Sequence, residues 1–96
     1  MTYRIILSPG AQEGIRSALL WYFHQDRDLP FRFQSELKST LSRIARYPYL
    51  FPVESDPLRR ARMKRFPYLI HFKVNTGIVY VVNFFHQRQL NPLSRP

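Results

Sequence analysis

The sequence predicts an α+β fold: an N-terminal strand, an antiparallel helix hairpin, and then three antiparallel strands forming one small sheet. Three observations lead to this prediction. The chain opens with a short β-branched run, continues with two stretches in which apolar residues recur at helical spacing, and ends with runs of alternating character. A length of 96 residues fits a single domain, in which we treat residues 89–96 as a short C-terminal tail.

The first strand and the first helix are expected before residue 26. Residues 3–7 are aromatic and β-branched, which is typical of a strand. A helix should run from residue 11 to about residue 25, because Ser8 can cap it and Pro9 suits the first helical position. Its apolar face consists of Ile15, Ala18, Leu19 and Tyr22.

The second helix is expected from about Pro30 or Phe31 to Arg46. Proline cannot continue a helix from inside, so residues 26–30 separate the two helices. Only a few residues connect them, which predicts an antiparallel hairpin. The apolar stripe of the second helix consists of Phe33, Leu37, Leu41 and Ile44. Residues 47–57 are rich in proline and are expected to form a loop.

Three strands are expected after this loop. Residues 60–65 and 68–74 alternate, whereas residues 78–85 are apolar on both faces, as in a central strand. The glycine-containing segment 75–77 should form a hairpin connection. The first of these strands should place three cations opposite two apolar residues, namely Arg60, Arg62 and Lys64 opposite Ala61 and Met63.

Positive charge is concentrated in the C-terminal part of the chain. The net charge is +9, and residues 57–96 hold eight basic and no acidic side chains, whereas residues 1–56 hold seven basic and all six acidic ones. Twelve of the fifteen cations are arginine, whose planar fork suits phosphates and carboxylates. This excess of positive charge favours an anionic partner, either nucleic acid or an acidic protein segment.

Several classes of protein are disfavoured by composition. The absence of cysteine excludes disulfides, zinc–thiolate sites and cysteine nucleophiles. No apolar run approaches the ~20 residues of a membrane span, and the N-terminus lacks the features of a signal peptide. No glycine loop for phosphates and no serine-nucleophile motif is present. We therefore expect a cytoplasmic protein without metal, cofactor or membrane partner.

The main candidate site is a basic strip with five cations in seven residues, Arg59, Arg60, Arg62, Lys64 and Arg65. Three cations aligned on one sheet face could follow phosphates or receive a carboxylate-rich peptide. The alternative is a solvated sheet face that only aids solubility.

Smaller candidates are a histidine and a group of aromatic residues. His86, with Arg88 two residues later, could act as a general base or contact a phosphate, or it could simply bond to backbone at the end of a strand. Trp21 and Phe23 could form a stacking or binding surface, or they could belong to the core. His24 and His71 lack metal-ligand spacing and are interpreted as structural.

Three stretches together resemble the RelE/ParE toxin superfamily. They are residues 47–52 (Tyr-Pro-Tyr-Leu-Phe-Pro), 65–74 (Arg-Phe-Pro-Tyr-Leu-Ile-His-Phe-Lys-Val) and 81–88 (Val-Val-Asn-Phe-Phe-His-Gln-Arg), within a similarity that runs from about Ser8 to Arg88. The resemblance implies the same strand, helix hairpin and antiparallel strands. It also implies a toxin of a type II toxin–antitoxin system, of the kind associated with plasmid stabilisation. Its partner would be a cognate antitoxin whose acidic and apolar segment wraps it in a hetero-oligomer.

The superfamily contains two activities that the sequence has to distinguish. RelE-like members cut mRNA on the ribosome with a basic cluster and an acid–base side chain or tyrosine, and here the matching positions are Arg62, Lys64, His86 and Arg88. ParE-like members inhibit DNA gyrase without that constellation. Residues 89–96 contain no tyrosine, and the Phe-Pro-Tyr and His-Gln-Arg signatures are closer to ParE-like members. The resemblance therefore favours gyrase inhibition, with the endoribonuclease as the alternative.

Overall fold

The computed structural model describes residues 2–88. Its elements are β1 (Arg4–Leu7), α1 (Pro9–Gln25), α2 (Leu29–Arg46), β2 (Val53–Ser55), β3 (Leu58–Arg62), β4 (Tyr68–Asn75) and β5 (Ile78–His86), with a 3-10 turn at Pro48–Leu50 between α2 and β2. The tail expected at residues 89–96 lies outside the described residues.

In the described part of the chain the strands form one mixed sheet in the order β1-β5-β4-β3-β2. β1 pairs with β5 in parallel, while the other neighbours are antiparallel. The α+β prediction is confirmed, but the segment expected to be a loop contains β2. This strand has only three residues and lies among prolines, so it is too short to show an alternating pattern.

The first helix has the predicted cap at Ser8, but it begins at Pro9, two residues before the predicted start at residue 11. The hydroxyl of Ser8 accepts a hydrogen bond from the amide of Ala11 at 3.0 Å, and Pro9 stands at the start of the helix. The same hydroxyl donates to the carbonyl of Val82 in β5 at 2.8 Å. Ser8 thus both caps α1 and fastens its N-terminus to the sheet.

The core lies between the two helices and one face of the sheet. Phe33 of α2 is fully buried, and its ring centroid lies 5.6 Å from Tyr22, 5.4 Å from Phe66, 5.6 Å from Tyr68 and 5.9 Å from Phe84. The pair with Tyr22 is tilted and the other three are edge-on, and such aromatic contacts add to the hydrophobic stabilisation of the core. The apolar stripes predicted for both helices are confirmed as core-facing, with buried or partly buried members Ile15, Ala18, Leu19, Tyr22, Phe33, Leu37, Leu41 and Ile44.

The contact between α1 and β5 is unusually close at Gly14. A Cβ atom at this position would lie 2.5 Å from the carbonyl oxygen of Phe84, which is closer than a real Cβ can approach a backbone atom. Glycine is therefore needed so that the helix can pack directly on the strand. Gly14 also lines the groove between α1 and β5 that is described below.

The β3 strand ends earlier than the sequence predicts. It was expected to reach Arg65, but it stops at Arg62, and residues 64–66 form a bend. Ala61 and Met63 are buried as predicted, and the amide of Met63 still donates to the carbonyl of Tyr68 at 3.1 Å. The chain then turns so that β4 can run back along β3.

The connection between β4 and β5 is the predicted tight hairpin. Asn75 pairs with Ile78, which leaves a two-residue loop of Thr76 and Gly77. Both loop residues have positive φ, at 47° and 75°, as a type I′ turn requires. The pairing shifts by one residue between His71 and Phe72, and beyond this shift the far end of β5 places His86 opposite Tyr68.

Candidate functional site

The basic strip predicted at residues 59–65 divides into an engaged part and a free part. Arg59 belongs to the engaged part: its guanidinium donates to the carbonyl oxygens of Phe51 at 2.8 Å and Tyr49 at 3.4 Å. The same group lies over the ring of Tyr49, 5.0 Å from its centroid. Arg59 therefore holds the segment before β2 against β3.

Arg60 is also engaged, by an acid that the sequence analysis did not pair with the strip. Its guanidinium lies 2.9 Å from the carboxylate of Glu54 in β2. Residues 59–65 contain no acid, and the compensating carboxylate comes from the neighbouring strand. Glu54 was missed because β2 was interpreted as loop, so nothing in the sequence placed it beside β3.

The free part of the strip consists of Arg62, Lys64 and Arg65. All three are exposed, and none forms an ion pair with another residue of the 2–88 segment. Lys64 and Arg65 lie in the bend after β3 rather than on the sheet face. The backbone amide of Arg65 donates to the carboxylate of Glu36 in α2 at 2.8 Å, which fixes the bend against that helix.

Two grooves flank the bend at residues 63–67. The cationic groove, of about 700 Å³, lies between α2 and the bend and is lined among others by Phe31, Arg32, Glu36, Lys64, Arg65 and Phe66. The apolar groove, of about 850 Å³, lies between α1 and the end of β5 and is lined among others by Ala18, Trp21, Tyr68, Phe84, His86 and Arg88.

Trp21 and Phe23, predicted as a joint binding surface, point in different directions. The indole of Trp21 is 58% exposed and lines the apolar groove. Phe23 is equally exposed but is absent from the lining of either groove. Residues two apart on a helix face different sides, so the structure assigns Trp21 alone to the groove.

The floor of the apolar groove contains a tyrosine pair. Burial raises the pKa of the Tyr68 phenol strongly, with the neighbouring Tyr22 adding to the effect, and burial also raises the pKa of Tyr22. The two phenols are hydrogen-bonded to each other. The raised pKa values make both phenols less favourable general bases at neutral pH than exposed tyrosines would be.

His86 ends β5 at the rim of the apolar groove. Its ring meets Tyr68 edge-on with centroids 5.2 Å apart, and its Nδ1 accepts a hydrogen bond from the backbone amide of Arg88 at 3.0 Å. This local bond orients the imidazole and leaves Arg88 exposed beside it. The pair can offer a groove occupant one cation and one ring.

His71 lies on the outer face of the sheet, which is the face opposite the helices. It is 1% exposed, and its Nδ1 lies 3.3 Å from the amide nitrogen of Asn83. Burial lowers the pKa of His71, while nearby Glu54 raises it and nearby Arg60 lowers it further. The side chain lines neither groove, in keeping with its interpretation as structural.

The four positions that match a ribonuclease constellation are not brought together. Arg62 pairs with Leu69, and Leu69 pairs with Phe85, so Arg62 lies on the outer face. His86 pairs with Tyr68 on the helix-facing side. Lys64 lines the cationic groove, whereas His86 and Arg88 line the apolar groove.

Neither a metal centre nor a membrane span is present in the described part of the chain. Residues 2–88 contain no group of three or more His, Cys, Asp or Glu side chains that could hold a metal ion. Neither of the two helices within that range is both long enough and apolar enough to cross a bilayer.

Comparison with known proteins relates the chain to one family and one architecture. The family described as the ParE toxin of the type II toxin–antitoxin system parDE matches residues 5–91. Among solved structures, the chain is similar to a chromosomal ParDE toxin–antitoxin system from P. aeruginosa, with a TM-score of 0.76 at 10% sequence identity, over 88% of this chain and 96% of that one. This structural likeness shows the fold. A comparison with curated protein sequences finds no match.

Proposed function

This chain belongs to the ParE toxin family of type II toxin–antitoxin systems, and we propose that it inhibits DNA gyrase in the cytoplasm until a cognate antitoxin occupies its apolar groove. Membership of the family implies an antitoxin partner. The occupant that we propose is an antitoxin segment with large apolar side chains and acidic residues at its ends.

The observation that carries this proposal is the exposure of the apolar groove. Trp21 lies open to solvent above a floor of Tyr68 and Phe84, although a tryptophan of this size would be stabilised by burial. Concave apolar surfaces with a single large aromatic anchor are typical centres of protein–protein interfaces. An antitoxin side chain inserted beside Trp21 would exclude water from the groove.

Charge would orient this partner and speed its association. The chain carries a net charge of +9, and Arg88 stands at the rim of the apolar groove. Acidic residues in the antitoxin would be steered to this rim, so electrostatics would act mainly on the association rate, while the apolar contact would supply affinity. The expected product is a toxin–antitoxin hetero-oligomer.

Gyrase has more support as the target than ribosome-bound mRNA. The positions that match a ribonuclease, Arg62, Lys64, His86 and Arg88, are divided between the outer sheet face and two separate grooves. Burial raises the pKa of Tyr22 and Tyr68, which disfavours either phenol as a general base at neutral pH. A ParE-like binding mechanism does not need these groups to converge.

A supercoiling assay tests the target. Added to purified gyrase with relaxed plasmid and ATP, the chain should block supercoiling, and the neighbouring gene's product should restore it when added first. In cells, controlled expression should produce filaments and a DNA-damage response while translated mRNA remains intact. Codon-specific cuts in mRNA together with unaffected supercoiling would instead identify the ribonuclease.

A pull-down tests the partner. The product of the neighbouring gene, co-expressed with the tagged chain, should co-purify with it and abolish growth arrest. A toxin that remains indifferent to that product would contradict the pairing.

A further inference from the structure

The cationic groove is a second exposed feature that antitoxin binding in the apolar groove does not use. Arg32 stands on its α2 wall, and Lys64 and Arg65 stand on its bend wall. All three side chains are exposed, and none of them has a carboxylate partner within residues 2–88. Cations on both walls give a ligand in the groove positive charge from two sides.

Glu36 is the one acid among the described lining residues of the cationic groove, and its carboxylate already accepts a hydrogen bond. The carboxylate of Glu36 accepts the hydrogen bond from the backbone amide of Arg65 at 2.8 Å. It therefore stabilises the bend and neutralises at most one of the three cations. The groove keeps a net positive charge that only an external anion can compensate.

The rim of this groove also carries an exposed aromatic ring. Phe31, one residue before Arg32, is 71% exposed, although phenylalanine is usually buried. Phe66, the other aromatic residue of the lining, is partly buried against Tyr22 and Phe33 and belongs to the core. Phe31 therefore offers a free face directly beside the cations.

We propose that the cationic groove binds a single-stranded DNA segment, with phosphates on Arg32, Lys64 and Arg65 and a base stacked on Phe31. A positively charged groove that follows the backbone, together with an aromatic ring that stacks on bases, is the arrangement by which proteins hold single strands without reading sequence. The choice of DNA over RNA rests on the proposed function, because gyrase acts on DNA, whereas the choice of a single strand over a duplex rests on the exposed ring of Phe31.

Two other anionic partners fit the groove less well. Duplex DNA presents phosphates outward but keeps its bases stacked inside, so Phe31 would gain no partner. An acidic peptide would need consecutive carboxylates to meet cations on both walls, whereas a nucleic acid strand carries one charge and one planar base in every repeat. Charge on both walls and a bare ring at the rim together favour the single strand.

The test is direct binding, measured by fluorescence anisotropy with the purified full chain and a labelled single-stranded oligodeoxynucleotide of mixed sequence. Three phosphate contacts predict that log K falls with log salt with a slope of about −2. The triple variant Arg32→Gln, Lys64→Gln, Arg65→Gln should lose most of this slope and bind at least about tenfold more weakly at low salt. Phe31→Ala should weaken binding by about tenfold and leave the slope unchanged.

Matched controls separate this site from the general positive charge of the chain. The triple variant Arg4→Gln, Arg43→Gln, Lys73→Gln removes the same number of exposed cations outside both grooves, none of them ion-paired within residues 2–88, and should bind DNA nearly like the parent. Phe23→Ala removes an aromatic ring of similar exposure outside both grooves and should have no effect. Equal losses in the paired variants would mean non-specific attraction and would overturn the site.

The remaining outcomes are equally decisive. Tighter binding to duplex DNA, to a matched oligoribonucleotide or to a polyglutamate peptide than to the single strand would overturn the assignment of the ligand. Because no gyrase is present in the binding measurement, its failure would leave gyrase inhibition standing. Conversely, DNA binding without any inhibition of supercoiling would refute the proposed target and leave the DNA site intact.

Discussion

The two grooves beside residues 63–67 offer different kinds of surface, although neighbouring residues of this segment line both: Lys64, Arg65 and Phe66 line the cationic groove, and Pro67 lines the apolar groove. In the apolar groove, Trp21 and Phe84 offer surface that gains stability when water is removed. In the cationic groove, Arg32 and Lys64 offer charge whose attraction weakens as salt rises. The proposed antitoxin segment and the proposed anionic ligand would therefore occupy adjacent surfaces that differ in chemistry.

Both grooves are lined in part by this short segment, which is held in place from several sides. Phe66 packs edge-on against Tyr22 and Phe33, with centroids 5.1 and 5.4 Å away, while Glu36 holds the amide of Arg65. Met63 anchors the start of the segment in the core. Changes in this segment should therefore affect both grooves, whereas changes on α1 should affect one.

The largest effect is expected from Met63→Asp, which should break both grooves at once. Met63 is 1% exposed, and an unpaired carboxylate there should lower the free energy of unfolding by about 3 kcal/mol or more. Urea denaturation followed by circular dichroism measures the loss. Met63→Leu keeps the volume and should cost less than about 1.5 kcal/mol. A stable Met63→Asp variant would show that this position is not core.

The next effect should be confined to the apolar groove. Gly14→Ala places a Cβ 2.5 Å from the carbonyl oxygen of Phe84, and separating α1 from β5 should cost about 2 kcal/mol. Antitoxin binding should weaken while binding of single-stranded DNA persists. Gly10→Ala is the matched control, because its nearest neighbour would be the Ser8 hydroxyl at 3.9 Å. Equal denaturation midpoints for the two variants would contradict the close contact.

Trp21→Ala should reduce antitoxin affinity with little change in stability. The indole is mostly exposed in the free chain, but it would be the anchor of the proposed interface, so its loss should cost about 2 kcal/mol of binding free energy, roughly 30-fold in Kd. Isothermal titration calorimetry with the antitoxin measures this change. Phe23→Ala serves as its control. If Phe23→Ala weakens binding more than Trp21→Ala, the antitoxin occupies another face of α1.

A change in pH should alter the stability of the folded chain through His71, which lies on the outer face of the sheet and lines neither groove. Burial lowers the pKa of His71 below its ordinary value of 6.5, so the unfolded chain binds the proton more readily than the folded one. Stability should therefore decline as pH falls below 6.5 and level off once the folded chain also takes up the proton. Denaturation midpoints across this range should show a weaker decline for His71→Gln. If the parent chain and His71→Gln lose stability equally as the pH falls, groups other than His71 cause the loss.

The smallest effect on stability is expected from the free part of the basic strip. The double change Arg62→Ala and Lys64→Ala removes two exposed side chains without ion partners in residues 2–88, so the free energy of unfolding should change by less than about 0.5 kcal/mol. Growth arrest on expression should nevertheless be relieved. Arg59→Ala should instead destabilise the chain, because it removes hydrogen bonds to the carbonyls of Phe51 and Tyr49. If the double variant and Arg59→Ala lower the melting temperature equally, the whole basic strip has a structural role.

Local elements could be predicted because their signals lie within a few residues. Ser8 and Pro9 indicated the N-terminal cap of α1. The apolar stripe from Phe33 to Ile44 indicated the buried face of α2. The hairpin at Thr76 and Gly77 followed from glycine in a short polar connection. Each of these predictions depends on periodicity or backbone preference, which neighbouring residues already determine.

The free and engaged parts of the basic strip could not be predicted in the same way. Glu54 reaches Arg60 only because β2 pairs with β3, and β2 has three residues and no visible alternation. The cationic groove joins Arg32 to Lys64 and Arg65 across the tertiary structure. These positions are not related by any regular spacing in the sequence, so the sequence could not predict that they line one groove.

The sequence alone determined the net charge of +9, the absence of cysteine, and the alternation that buries Ala61 and Met63 while exposing Arg62. Only the tertiary structure decided which cations remain free and that Arg62 and His86 lie on opposite faces of the sheet. The physical reason is that charge and periodicity are properties of the chain itself, whereas partners are set by the register between strands far apart in sequence, and one residue of register moves a side chain to the other face.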